Sequence, residues 1–393
     1  MIVVSGVIHR LAGRHLATAG LSALLLVAAG VPAAASGQPP PTGPQAGRPP
    51  WRQAGPGWSV VEYSTAATSG SPAGPTTFYL VSPSGRKYPF YRTPPAGYPN
   101  SSLIDWSSDR QRILIQRIGA GNQQRLTYEQ VSLATGSVVT RFRLPSEVQP
   151  VEYTRPRGNG FLAHGSGSNF GDFRYDLTGR LRARLAPGTK VFSLLDAPDG
   201  TFILAGTTDG IDLVSNSGHI IRRIRIPVAT GGSKQLCGPA RWWTPTTLLA
   251  DCFVLAPYDT ERLWLVPMHG GKPKPLTPAL RSHGLFLGYV DAWRLPNGLY
   301  LQADNARDTL SIVRQSPDGS RRTIRIPGSA GLSDFIETAV GPRLLIETGV
   351  GVSASDSLFW YNPATRAIRY VFRTPPKTYG VSGVATFGFR APG

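Results

Sequence analysis

One hairpin recurs along this chain, and its period restricts the fold more than any single residue does. An apolar strand runs into a small turn, and the strand after the turn alternates basic with non-basic residues. The apolar strands lie at 78–81, 128–131, 173–176, 211–214, 263–266, 310–313 and 358–361. Their turns close at Gly85, Gly136, Gly179, Gly218, Gly270, Gly319 and Thr365, which are 51, 43, 39, 52, 49 and 46 residues apart. A small sheet recurring at that period cannot bury both faces alone, so neighbouring units must pack against each other in a radial array.

Each unit reads as four short strands; in the second they fall at 102–106, 113–117, 126–133 and 137–144. Tight turns such as Asp199-Gly200 and Asn297-Gly298 supply the positive φ angles that hairpins need. Helical periodicity is nearly absent beyond the N-terminal region, and 45 glycines with 36 prolines point the same way. The expected fold is all-β, a seven-bladed β-propeller over 58–390. The first unit starts one strand short at Trp58, whereas a spare strand follows the seventh at 379–387. That strand is expected to complete the first blade and close the ring, which removes an open end.

Three segments carry a resemblance: Ala197-Pro198-Asp199-Gly200 with Ile203-Leu204, Trp106-Ser107-Ser108-Asp109 with Ile113-Leu114, and Pro296-Asn297-Gly298 with Tyr300-Leu301. They resemble the Ser-Pro-Asp-Gly turn and following apolar strand of the TolB-like and WD40-like β-propellers of bacterial secreted proteins. The resemblance implies a propeller and a protein-binding role, and it brings no catalytic residue with it.

The chain opens with Arg10 and Arg14, an apolar run over 16–31, and Pro32-Ala33-Ala34-Ala35-Ser36. That order reads as a secretory signal peptide over 1–35, with an uncleaved anchor as the alternative. Residues 36–57 hold seven prolines and five glycines, a linker with too little apolar surface for a core. A secreted or cell-envelope location follows, with no membrane span after cleavage. Cys237 and Cys252 lie equidistant from a turn at Thr244-Pro245, so they face each other across a ladder and suit a structural disulfide.

Net charge is +18, and loss of the first 35 residues would leave +16. Only six of the 41 basic residues are lysine. The arginines recur at even spacing on the fourth strands: Arg141 with Arg143, Arg182 with Arg184, Arg223 with Arg225, Arg321 with Arg325, Arg369 with Arg373. Arg86 with Arg92 and Lys272 with Lys274 continue the series. Even spacing places each pair on one side of its strand, giving a basic belt around the rim. It either protects exposed edges or attracts an anionic polymer. Nucleic acid fits poorly, because no basic helix or zinc spacing is present.

Acids recur near the innermost strands at Asp105, Glu152, Asp196, Asp291 and Glu337. Converging, they would hold a cation or serve as acid and base; their offsets from the following turns differ, so convergence is not dictated. His164 lies in a Gly/Ser-rich loop, where Asp172 or Glu152 would be its chemical partner; His219, His269 and His283 make no ligand spacing. Trp242, Trp243 and Trp293 precede turns and suit either a binding face or packing between blades. No catalytic or metal motif and no cofactor fingerprint emerges. The reading is a monomeric, non-enzymatic scaffold for a protein or an anionic cell-wall polymer. The alternative is a lyase, lactonase or glycosidase acting in the central channel.

Overall fold

The computed structural model describes residues 49–64, 75–93, 101–118, 126–187, 191, 193–227, 235–254, 260–278, 286–305, 309–327, 329, 333–349, 357–373 and 381–386. The proposed signal peptide, most of the linker and His283 lie outside them. The first blade holds β1 (Ser59–Ser64), β2 (Thr76–Val81) and β3 (Lys87–Arg92). The second is β4 (Ser101–Trp106), β5 (Arg112–Ile118), β6 (Leu126–Ser132) and β7 (Val138–Phe142). The third is β8 (Val148–Tyr153), β9 (Gly160–Gly165), β10 (Gly171–Asp176) and β11 (Leu181–Leu185). The fourth is β12 (Leu194–Asp196), β13 (Ile203–Gly206), β14 (Gly210–Val214) and β15 (Ile220–Arg225).

Then follow β16 (Gln235–Thr244), β17 (Thr247–Val254), β18 (Thr260–Pro267) and β19 (Lys274–Pro275). They share one eight-stranded sheet with β20 (Phe286–Leu295), β21 (Gly298–Asn305), β22 (Thr309–Gln315) and β23 (Arg321–Ile324). A last four-stranded blade comprises β24 (Ser333–Val340), β25 (Arg343–Gly349), β26 (Ser357–Asn362) and β27 (Ala367–Phe372). Finally β28 (Val381–Thr386) returns to the start and pairs with β1, from Ser59 opposite Thr386 to Tyr63 opposite Val381.

The expectation of seven separate blades is therefore corrected. Among the described residues the fold has five four-stranded blades, and the stretch 235–324 forms one continuous eight-stranded sheet. Two local features join its halves. The outer strand β19 is only two residues long, hemmed by Gly270, Gly271, Pro273 and Pro275, so it covers little of β18. Gly288 adopts φ +150° and its backbone comes so near that an added Cβ would meet the Glu261 carbonyl at 2.3 Å. A parallel bridge, Glu261 opposite Gly288, then links β18 to β20.

Side-chain alternation explains the packing. Ile113 and Ile115 enter a cluster with Val60, Phe78 and Leu80 of the first blade, whereas Leu114 between them joins Tyr153 and Phe161 of the third. Strands buried on both faces read as unbroken apolar runs for this reason. Similar clusters bridge each neighbouring pair of sheets, including Leu345, Leu358 and Trp360 against Val61 and Val81 across the closure. The end of the linker shares in this core: Ala54 is buried and Trp51 packs on the first two blades, with the Arg110 guanidinium donating to the Ala54 carbonyl at 2.7 Å. No helix among the described residues is long and apolar enough to cross a membrane.

Candidate functional site

Among the inner strands β28, β4 and β8 adjoin in turn, as do β12 with β16, β20 with β24, and β24 with β28. Besides β28, whose ladder skips Ser382, five of them carry the same irregularity. The ladder skips a residue between Leu103 and Asp105, Pro150 and Glu152, Pro239 and Arg241, Tyr289 and Asp291, and Ile336 and Thr338. Such a bulge inserts one residue and re-aims the side chain after it. Asp105, Glu152, Arg241, Asp291 and Thr338 thus occupy like positions, and Glu337 is the inserted residue of its strand, half-buried and out of series.

From that position Asp105 and Glu152 reach the next inner strand. Asp105 Oδ2 accepts from the Tyr153 amide at 2.7 Å, and Glu152 Oε1 from the Asp196 amide at 2.5 Å. Asp196, one residue further along β12, accepts instead from the Arg155 amide at 2.7 Å, within the third blade. Glu62 and Gln302, on second strands, do the same: Glu62 takes the Leu103 amide at 2.7 Å and the Ser101 hydroxyl at 2.9 Å, and Gln302 takes the Ile336 amide at 2.8 Å. The central acids therefore join blade to blade.

Burial pushes the Glu152 carboxyl up to about 8, with Arg155 opposing and the Asp105 and Asp196 charges reinforcing the rise. Burial likewise lifts Asp196 to about 6 against the Arg155 amide and guanidinium, and it raises Asp105. The fourth acid of the series, Asp291, stands in a separate group. Arg241 Nε lies 3.1 Å from it, and the same guanidinium sits 3.9 Å from the Trp293 ring centroid. Asp251 behind it is raised well above the carboxylate range by burial, then by Glu261, Asp291 and Asp304. Among the described residues no three His, Cys, Asp or Glu side chains are arranged to hold a metal ion.

The rim is built oppositely. Arg141, Arg143, Arg223, Arg225, Arg321 and Arg325 are all exposed on or at the ends of the outermost strands, as are Arg86, Arg92, Arg369, Arg373, Lys272 and Lys274. Arg141 pairs with Glu129 at 2.7 Å and Arg223 with Asp212 at 3.6 Å, each across one ladder step. Arg321 donates to Gln315 Oε1 at 2.9 Å. Among the described residues Arg143, Arg225 and Arg325 make no ion pair.

Trp242, Trp243 and Trp293 are buried, each in a different cluster: those of Trp242 and Trp293 lie between sheets, and that of Trp243 lies within the eight-stranded sheet. Trp242 Nε1 donates to the Asp196 carbonyl at 3.1 Å. His164 meets Asp172, not Glu152, with Nδ1 2.8 Å from Oδ1; His219 and His269 are exposed. Cys237 and Cys252 stand directly opposite on β16 and β17 and form a disulfide. Sequence reasoning missed Glu62, Gln302 and Arg155. The near-period spacing of Asp105, Glu152 and Asp196 was the available signal, obscured because the bulges shift the count to each turn.

No family model matches the chain, and no curated protein matches it in sequence. Solved structures do. A prolyl endopeptidase aligns over 80% of this chain and 50% of its own, at 11% identity and TM-score 0.51. A puromycin-hydrolysing peptidase of Mycobacterium tuberculosis aligns over 80% and 53%, at 16% identity and TM-score 0.48. A protein of Bacteroides uniformis described as a 6-phosphogluconolactonase aligns over 83% and 98%, at 12% identity and TM-score 0.48. This chain spans about half the length of the two peptidases. At such identities the likeness is one of fold, and the fold is an all-β propeller.

Proposed function

We propose that this chain is an exported, non-enzymatic propeller of the TolB-like and WD40-like kind whose rim contacts an anionic cell-envelope polymer. The observation that carries the reading is the exposure of the outer-strand arginines and lysines on every unit, several of them without an acid among the described residues. Surface guanidiniums held at fixed strand spacing form a field that concentrates a polyanion and pair readily with its oxyanions. The centre supports the same reading from the other side. Its carboxylates are spent on neighbouring amides, and the acids, His164 and Asp291 fall in three separate places. A disulfide suits an oxidising compartment outside the cytoplasm.

The test is retention on purified cell wall across a salt series. Binding should weaken steeply as salt rises, because exposed charges are screened beyond about 8 Å at physiological ionic strength. Retention indifferent to salt, or turnover of a lactone or glycoside that Glu152→Gln abolishes, would overturn the reading.

A further inference from the structure

A concavity lies at one end of the third blade. Between the β8–β9 turn and the β10–β11 hairpin, a cavity of about 320 Å³ is lined by Asn159, Arg174, Tyr175, Asp176 and Arg182. The register brings these together: Asp176 lies opposite Gly160, so the two turns share one end of the third blade. Arg174, Arg182 and Asn159 line the space from three separate backbone segments. Arg174 stands on β10, and its buried Nε has no hydrogen-bond partner among the described residues. Arg182 stands on the outer strand β11, more than half exposed. Asn159 accepts from the Thr154 hydroxyl through Oδ1 at 2.9 Å, which leaves its amide protons for another acceptor.

The one acid in the lining is already engaged. Asp176 Oδ1 accepts from the Thr178 amide at 2.9 Å, the Thr178 hydroxyl at 2.7 Å and the Arg180 amide at 3.0 Å, while Oδ2 meets Arg182 at 2.9 Å. Two further cations, Arg157 and Arg180, are exposed on the flanking turns. We infer that this cavity seats a tetrahedral phosphate-class oxyanion, held by Arg174, Arg182 and Asn159. Donors spread over three segments surround a tetrahedral group, whereas a planar carboxylate is matched by a single guanidinium fork. The inference deepens the rim reading, because it gives a diffuse belt one point of defined stereochemistry, and it rests on that reading only for the source of the phosphate.

Calorimetric titration of the full chain with inorganic phosphate, with acetate and with a polyglycerol-phosphate chain tests it. Phosphate should bind and acetate should not. Arg174→Gln and Arg182→Gln should each weaken phosphate binding about tenfold, the loss of one charge-assisted pair. Arg174→Lys should not restore it, because an ammonium lacks the fork. Asn159→Asp, at an exposed turn position that leaves the fold intact, should weaken binding in the same direction. If the polymer displaces phosphate, the natural source is a polymer phosphodiester; if it does not, the source is free phosphate, and the seat stands in both cases. Phosphate affinity unchanged in Arg182→Gln and Asn159→Asp, acetate binding as tight as phosphate, or no phosphate binding overturns the seat. Polymer retention that survives such a failure leaves the rim reading intact, and phosphate binding without polymer retention sinks the rim reading alone.

Discussion

The hub and the rim of this propeller use opposite charges in opposite ways. At the hub, Asp105, Glu152 and Glu62 are withdrawn from water and aimed by bulges or second-strand positions at the neighbouring strand's amides. At the rim, Arg143, Arg225 and Arg325 stand in solvent on edge strands. A buried carboxylate that satisfies an amide is a structural joint, and removing it orphans the partner. An exposed guanidinium contributes little to stability and much to the surface field. The buried acids of the hub should therefore govern folding, and charge at the rim should govern association.

The largest test of that contrast is the pH dependence of stability. The Glu152 carboxyl titrates at about 8 in the folded chain against an ordinary 4.5, so the native state keeps its proton after the unfolded chain has released it. The Glu152 contribution to stability should be full below pH 4.5, fall through 8 and level off above, at about 1.4 kcal/mol per pH unit, or about 4 kcal/mol from pH 5 to 8. Denaturant unfolding at pH 5, 6.5 and 8 measures it. Glu152→Gln keeps an acceptor for the Asp196 amide and should flatten the slope; an unchanged slope would break the contrast. Asp196, lifted to about 6, should add its own fall between about 4 and 6.

Next in size is the Cys237–Cys252 bridge, which closes a separation of 15 residues within β16 and β17. Its removal by paired Ala substitution should cost about 3 kcal/mol, read from the unfolding midpoint. Glu62→Ala should cost about 2 kcal/mol, since it strands the Leu103 amide and the Ser101 hydroxyl inside the core. At the small end, Arg143→Gln or Arg225→Gln should shift stability by less than about 0.5 kcal/mol while lowering the salt sensitivity of polymer retention. A rim substitution that costs as much as Glu62→Ala would erase the distinction between the two regions.

Several features were plain in the residues alone, each because it depends on local spacing. The hairpin period announced stacked sheets, since Ile113-Leu114-Ile115 and its counterparts can be apolar throughout only if both faces are covered. Equidistance from a turn paired the cysteines. Even spacing turned Arg141 with Arg143 and Arg223 with Arg225 outward, because side chains on a strand alternate with period two. The return of the final strand to β1 followed from a blade that began one strand short.

Tertiary packing decided the rest. The fusion of 235–324 into one sheet depends on how closely the Gly288 backbone can approach Glu261, a contact between strands that no local pattern encodes. Which acid meets which amide depends on bulges, each of which inserts one residue into its strand and re-aims the side chain after it. The three tryptophans, Trp242, Trp243 and Trp293, were open to a surface or a core reading until packed neighbouring strands enclosed them. Spacing along a chain assigns a side chain to one face of its strand, but only the packed neighbours determine what occupies the space beyond that face.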